Sequence, residues 1–341
     1  MRVTFVDDSI PFDGNTPATE PLGGPEKALA SLPGALARSG HVVEVFNRCL
    51  APATIEGANW HPWHTPRPAE TDILVAFRKP ELLGVVAKAK RRFLWITGAP
   101  DYLGHARNRA YLERWKPVLL FLSRSHVESH DNEDKLRAAI LTPGLRPPFL
   151  AVEANRPADP PRAIVTAHPL HGLDWLLDVW RGTIHAIAPQ AELHVYSAAL
   201  EKAQRGEPFD PAFRALVERL GTAKDDRIVV RRPPADPELA ETFRQARVHL
   251  HPGHESDMYA FSIAESQSCG LPAVVRPKGA ARERLIAGTT GFVAGDEDAF
   301  ANAALRLLND NATFERMSLS ARTTQLGRRW DEVAAEFEVH W

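Results

Sequence analysis

Short, continuous hydrophobic runs alternate with segments of helical periodicity along the chain. In the first half, these runs are typical of buried parallel strands, and they predict strands at residues 3–6, 42–46, 73–76, 92–96 and 118–122. Between the first two runs, apolar positions at helical spacing predict a helix over 26–39, which Gly40 ends. A strand, a loop, a helix and a second strand in this order indicate the start of a doubly wound α/β domain.

The alternation starts again after a proline-rich stretch around 143–162. The second half predicts helices at 173–186, 261–269 and 297–309, and strands at 164–166, 193–196, 228–230, 248–251 and 273–275. We therefore expect two Rossmann-like domains, at 1–150 and 163–325, joined by a linker at 151–162. In the last segment, 326–341, one helical face carries Trp330, Val333, Ala334, Phe337 and Trp341, so this helix should pack on a domain surface.

Composition restricts the class of protein. The chain has 341 residues, with 41 Lys and Arg against 43 Asp and Glu, so the net charge of −2 argues against a duplex-binding protein. Its two cysteines exclude a disulfide framework and fit a reducing cytoplasm. No apolar run approaches the roughly 18 residues of a membrane span, and the first residues do not form a signal peptide. We expect a cytoplasmic protein without nucleic-acid partners.

A glycine pair lies between the first strand and the first helix. Gly23 and Gly24 would let the backbone approach a ligand, and the helix start that follows offers free amides to an anion. An ordinary glycine turn explains the same residues.

The stretch 251–266 carries the strongest chemical pattern. A strand ends, a polar loop follows, and a helix begins near Ala260, where free amides and the helix dipole could hold a diphosphate. Asp257 and Glu265 are separated by seven residues, and acceptor carboxylates in this arrangement suit sugar or ribose hydroxyls. The alternative is a capped, solvated helix.

Three other polar groups have simpler interpretations. A zinc site could form from His249, His251, His254 and Glu255, but histidines that line a diphosphate cleft are the preferred interpretation. The sequence 296–298, Asp-Glu-Asp, predicts a helix cap and favourable dipole charge rather than a metal site. The basic run at 88–92 is interpreted as a solvated helix end, with contact to anionic lipid or an anionic acceptor as the alternative.

Taken in order, these stretches resemble the retaining GT-B glycosyltransferases of the large family usually numbered four, the glycosyl transferases group 1. The segment 22–29 is similar to the family's GG-x-E loop, and Asp257 and Glu265 occupy its E-x7-E positions. Further similar segments follow in the family's order, at 40–45, 172–180, 189–196, 268–274, 291–293 and 330–337. The resemblance covers most of the chain.

The resemblance implies an acceptor domain and a nucleotide-sugar domain that face a cleft, with the last helix crossing back to the N-terminal domain. Gly23 and Gly24 would contact the donor's phosphates or sugar, Glu265 would hold the ribose, and Asp257 would hold the transferred sugar. Backbone amides of the segment from Tyr259 through Ala260 and Phe261 to Ser262 would carry phosphate. No metal or cofactor is implied, and the substrate would be a nucleotide-diphosphate sugar of UDP or GDP type.

The sequence departs from the family's pattern at the positions that neutralise the diphosphate. His171 stands before Gly172, where the family has Lys or Arg, and Asp257 replaces the usual Glu. The segment 95–101, after the fourth strand, lacks a histidine that many relatives carry there. Lys278 is the expected substitute cation.

The expected function is transfer of a sugar to an acceptor hydroxyl with retention and without a metal. A silent GT-B protein that binds a nucleotide or sugar is the first alternative, and a nucleotide-sugar epimerase is the second. The acceptor is not specified by the sequence. If the basic run at 88–92 binds anionic lipid, the protein would contact the inner face of a membrane peripherally.

Overall fold

The computed structural model describes residues 1–131, 135–221, 226–324 and 327–341. The chain divides into two compact units, the first formed by Met1–Arg146 with Arg328–Trp341 and the second by Pro147–Gly327. The domain limits expected from the sequence, at 1–150, 151–162, 163–325 and 326–341, stay a prediction. The limit between 325 and 326 lies outside the described residues.

A largely parallel sheet forms the centre of the first unit, with the strand order β3-β4-β2-β1-β5-β6-β7-β8. Only the β3–β4 pairing is antiparallel among the described strands. Each strand predicted in this half of the chain falls on an observed strand. The strands are β1 Arg2–Val6, β2 Val42–Asn47, β3 Ala53–Ile55, β4 Ala58–Pro62, β5 Glu70–Phe77, β6 Lys88–Trp95, β7 Val118–Phe121 and β8 Ala138–Ile140.

The basic run at 88–92 was wrongly expected to end a helix, because these residues begin strand β6. They pair with the start of β5, where Glu70 is the register partner of Lys88 and Asp72 forms an ion pair of 2.6 Å with Lys90. Opposite charges on neighbouring strands therefore support a polar extension of the sheet. Contact of this run with an anionic membrane or acceptor stays a prediction.

The last helix packs on the first unit, as expected. The helices of this unit are α1 Thr16–Thr19, α2 Gly24–Arg38, α3 Ala106–Trp115, α4 Arg124–Glu128 and, at the end of the chain, α14 Trp330–Glu338. Helix α14 lies against α2, where Arg38 binds Asp331 at 2.6 Å. Its buried Phe337 meets Phe93 of β6 edge to face, with ring centres 5.0 Å apart. These contacts account for the apolar face in the sequence of the tail.

The second unit is built on a parallel sheet with the order β11-β10-β9-β12-β13-β14. Its strands are β9 Arg162–Val165, β10 Glu192–Tyr196, β11 Ile228–Arg231, β12 Val248–His251, β13 Ala273–Val275 and β14 Gly291–Val293. The chain moves from β9 to one side of the sheet and returns to the other side at β12. The point of return lies between β9 and β12, and open α/β sheets bind ligands beyond the carboxyl ends of the strands at such a point.

Helices cover this sheet. They are α5 Pro147–Leu150, α6 Leu173–Val179, α7 His185–Ile187, α8 Ala198–Gln204, α9 Arg214–Gly221, α10 Asp236–Gln245, α11 Phe261–Ser268, α12 Glu297–Asn309 and α13 Asn311–Thr324. The helix expected over 173–186 is confirmed, and a π-helical turn at Trp180–Ile184 lies inside it, between α6 and α7. Asp296 caps α12 by accepting the amide of Ala299 at 2.8 Å, which confirms the cap prediction. Within the described part of the chain, none of the helices combines the length and apolar character that crossing a membrane requires.

Candidate functional site

The loops that follow β9 and β12 meet at the carboxyl edge of the second sheet. Gly172 begins α6 with a φ of +91°, and a Cβ atom there would lie 3.1 Å from the Cβ of Pro252. Beside this contact, Nδ1 of His171 lies 3.0 Å from Oδ1 of Asp257. The fold therefore joins two residues that are 86 positions apart.

The carboxylate of Asp257 is the centre of this site. Its Oδ1 faces His171, while its Oδ2 faces Nε2 of His251 at 3.2 Å and accepts the amide of His254 at 3.0 Å. Burial would raise the pKa of Asp257, but the hydrogen bonds with His171 and His251 hold that pKa well below its ordinary value of 3.8. Asp257 is thus an anion at neutral pH, and its side chain is 14% exposed.

Two further histidines surround His171. The His254 ring stacks on the His171 ring, with centres 4.3 Å apart and planes 15° apart, and the His168 ring lies 5.1 Å from His171. Burial lowers the pKa of His168. The site thus presents imidazoles beside one carboxylate.

The zinc cluster considered for this stretch is not assembled. His249 is fully buried between Oγ1 of Thr166 at 3.0 Å and Oγ of Ser266 at 2.8 Å, and burial holds its pKa well below 6.5. Across the residues that the structure describes, no three His, Cys, Asp or Glu side chains are arranged to hold a metal ion.

Helix α11 starts at the same edge. Ala260 adopts a left-handed conformation with a φ of +56°, and the first bond inside the helix is the 3.1 Å bond from the Ile263 amide to the Ala260 carbonyl. The amides of Phe261 and Ser262 precede that bond, as donors at a helix start do. The Tyr259 ring is buried against Phe261 and the Arg284 guanidinium, so this residue can offer only its backbone to a ligand.

Glu265 lies in the second turn of α11 and is buried, with 6% of its surface exposed. It therefore belongs to the same helix as the backbone amides that are predicted to bind phosphate.

The loop after β13 closes on the 254–257 loop. The amide of Ala280 donates to the Asp257 carbonyl at 2.7 Å, and Gly279, at a φ of +54°, leaves no room for a side chain. Nζ of Lys278 lies 4.0 Å from the carboxylate of Glu255 in this same group of loops. The structure thus brings Lys278, His171 and Asp257 into adjacent loops of the second unit.

The glycine pair lies in the first unit. Gly23 caps α2 and Gly24 is its first residue, and the Cα of Gly23 faces the carboxylate of Glu26. These two glycines belong to the first unit, whereas the other predicted site residues belong to the second.

A polar cluster at the carboxyl edge of the first sheet was missed by sequence reasoning. Arg78 follows β5 with a φ of +64°, forms a 2.6 Å ion pair with Glu26, and donates to Oγ1 of Thr97 at 2.7 Å. Asp7 follows β1, and burial raises its pKa despite hydrogen bonds from Ser9. In the sequence, the end of a hydrophobic strand at Phe77 is followed by Arg78 and Lys79, and this pattern could have indicated a polar site at the carboxyl edge of the sheet.

Comparison with known proteins identifies the second unit. The model of the family Glycosyl transferases group 1 matches residues 163–310. The second unit belongs to this family. A stretch of 123 residues, 36% of this chain, is 31% identical to the D-inositol 3-phosphate glycosyltransferase of Xylanimonas cellulosilytica, and it spans only 29% of that relative's length.

Solved structures show the fold of the chain. It is similar to sucrose-phosphate synthase from Thermosynechococcus elongatus, with a TM-score of 0.72, 16% identity, and coverage of 99% of this chain and 98% of the other. HepE from Anabaena, solved in complex with UDP and glucose, gives a TM-score of 0.69 at 14% identity, with coverage of 99% and 98%. The chain therefore has the GT-B fold, as the resemblance implied.

Proposed function

We propose that this protein transfers a sugar from a nucleotide-diphosphate donor to an acceptor hydroxyl, with retention at the anomeric carbon and without a metal ion. The observation that supports this most is the junction of Asp257, His171 and the start of α11 at the carboxyl edge of the second sheet. An anion held there meets free helix amides and imidazole donors.

In this proposal the second unit binds the donor. The amides of Phe261 and Ser262, with those of Tyr259 and Ala260, hold the diphosphate, and His171 and Lys278 contribute positive charge. Glu265 accepts the ribose hydroxyls. The remaining acceptor capacity of Asp257 serves the transferred sugar, because a carboxylate offers about four lone-pair positions and the described donors occupy three.

The first unit binds the acceptor in this proposal, and Gly23 and Gly24 line the donor's phosphate or sugar. The bond from the anomeric carbon to the diphosphate oxygen breaks through an oxocarbenium-like state, and the acceptor oxygen bonds to that carbon from the same face. The acceptor proton passes to the leaving diphosphate oxygen. The protein's contribution is to orient donor and acceptor and to neutralise the charge on the leaving group.

The donor is expected to be of UDP or GDP type. HepE, which shares the fold, was solved with UDP and glucose, and the curated relative that matches part of the chain is named for transfer to D-inositol 3-phosphate. These names support a nucleotide-sugar donor for this chain and leave the acceptor open to experiment.

A thermal-shift panel of UDP, GDP, ADP, CDP and dTDP in EDTA tests the donor site. A ligand at about 100 times its dissociation constant stabilises the folded state by about 2.7 kcal/mol, so UDP or GDP should raise the Tm. Glu265→Ala should abolish that shift, whereas Glu238→Ala, on α10 of the same unit, should keep it. A shift of equal size in Glu265→Ala would remove this residue from the site.

A silent GT-B protein that binds a nucleotide without turnover is the second candidate. The observation that favours it is His171 at the position where the family carries Lys or Arg. Nucleotide binding with no sugar transfer or donor hydrolysis would select this candidate. An isomerised donor without free nucleotide would instead select the epimerase.

A further inference from the structure

We propose that His171 is the switchable cation of the diphosphate site and that Asp257 is the positioning residue that supports its protonation when the diphosphate binds. The affinity for a nucleoside diphosphate then falls as the pH rises above neutral. This inference rests on the proposed function, and it gives that site a form of regulation. It follows from the partners of each ring nitrogen in the group.

His168 and His254 are poor candidates for a charged ring. Nδ1 of His168 accepts the amide of Leu170 at 3.3 Å, and Nδ1 of His254 accepts the amide of Ser256 at 3.1 Å. A ring nitrogen that accepts an N–H bond carries a lone pair and no proton. Protonation of either ring would therefore break an existing hydrogen bond.

His251 is a poor candidate for a different reason. Its Nε2 faces Asp257, while its Nδ1 is buried and has no hydrogen-bond partner among the described residues. A second proton would place an unsatisfied N–H in the interior, which is unfavourable because a buried donor without an acceptor loses its hydrogen bonds to water. His251 therefore serves Asp257 as a neutral donor.

His171 can carry two protons without either penalty. Its Nδ1 donates to Asp257, and its side chain is 27% exposed, so Nε2–H can donate outward to a phosphate oxygen. A hydrogen bond between ionised partners is about twice as strong as a neutral one. One imidazolium would thus join the anionic Asp257 on one side to the anionic ligand on the other.

The charges around His171 explain why the ligand controls its protonation. Lys278, on the loop after β13, and Arg276, whose guanidinium lies 4.1 Å above the Trp175 ring of α6, oppose a further positive charge on His171. The neutral rings of His254 and His168 pack beside it. Asp257 favours the charge, and Glu255 is held by Lys278. A bound diphosphate adds negative charge beside His171 and favours its protonated form, so binding takes up a proton.

Calorimetric titration of the whole protein with UDP, GDP and inorganic pyrophosphate between pH 5.5 and 8.5 tests the inference. The matched variant is His171→Lys, which carries a fixed charge and also corrects for the nucleotide's own terminal phosphate, whose pKa is about 6. The ratio of wild-type to His171→Lys affinity should fall by up to tenfold per pH unit above neutrality. Two buffers of different ionisation enthalpy should show proton uptake by the wild type and little by the variant.

Asp257→Asn should shift the loss of affinity to lower pH. His168→Gln should keep the wild-type pH profile. A pH-independent affinity ratio, or no proton uptake by the wild type, would overturn this inference and leave the proposed donor site unaffected. The proton-uptake result decides the question if Asp257→Asn does not fold. No binding of either nucleotide by wild type or His171→Lys at any pH would overturn the proposed function itself.

Discussion

The side chain of Asp257 shows how one residue holds a site together. Three donors from the loops after β9 and β12 reach its two oxygens. The resemblance assigned this residue to the transferred sugar, but the geometry commits most of its acceptor capacity to the histidines. We therefore expect substitutions of Asp257 to change the protonation and position of His171 before they change sugar recognition.

Asp257 should stabilise the fold only above acidic pH. Its pKa is depressed below 3.8 in the folded state, so its contribution is fully present above that value and is lost as the pH falls through the lower folded value. Between about pH 5 and pH 2, the difference in unfolding free energy between wild type and Asp257→Asn should shrink, with most of the loss below about pH 4. Urea denaturation across this range measures it. A difference that does not shrink below about pH 4 would mean that Asp257 is not held as an anion.

Sequence reasoning found the site's residue types but not their partners. The spacing of Asp257 and Glu265, and the position of His171 before Gly172, singled out residues that the structure places in one unit. The pairing of His171 with Asp257 could not be predicted, because it joins loops 86 positions apart through the parallel order of β9 and β12. Arg78 was missed because its contacts with Glu26 and Thr97 depend on the same kind of strand adjacency.

At the scale of elements, the strongly hydrophobic strands were predictable and the irregular connections were not. The β3–β4 hairpin turns through Glu56 and Gly57, both at positive φ, and it lacks the Asn-Gly or Asp-Gly pair that signals such turns. The π-helical turn after α6 keeps a helical pattern in the sequence, so periodicity cannot reveal it. Strand β6 begins at Lys88, where the sequence predicted the end of a helix. The start of this strand is held by charge pairs with β5, and it therefore lacks the hydrophobic alternation by which a strand is recognised in a sequence.

The turn after β13 should be necessary for the site's shape. A Cβ atom on Gly279 would lie 2.6 Å from the Asp257 carbonyl and 2.7 Å from the His254 carbonyl, and its φ of +54° disfavours a side chain as well. Gly279→Ala should therefore displace the 254–257 loop and weaken nucleotide binding by at least about tenfold, which corresponds to about 1.4 kcal/mol. Calorimetric titration measures the affinity.

Gly182→Ala is the matched control, because nothing lies within 4 Å of a Cβ atom at that position in the π-helical turn. Its nucleotide affinity should equal that of the wild type. If Gly279→Ala also bound nucleotide like the wild type, the loop after β13 would have no part in shaping the site.

At the scale of the whole molecule, the fold persists where the sequence does not. The structure is similar to GT-B proteins that share only 14% and 16% sequence identity with this chain. At the position where the family that the chain resembles has the cation that neutralises phosphate, this chain has His171. A fold hosts many activities, so the architecture supplies the place for a donor and the site residues must supply the chemistry. The activity of this chain therefore depends on whether its histidine–aspartate group replaces a fixed cation.

The most direct test of the proposed activity is proton NMR of the reaction with the nucleotide sugar whose nucleotide raises the Tm, in EDTA and at a pH near 6.5. We predict that the first sugar product, transferred or released to water, has the anomeric configuration of the donor, and that EDTA does not slow its formation. Product of inverted configuration, or turnover that stops in EDTA, would contradict the proposal of metal-independent retention. Unchanged donor beside tight nucleotide binding would contradict the proposal of transfer itself.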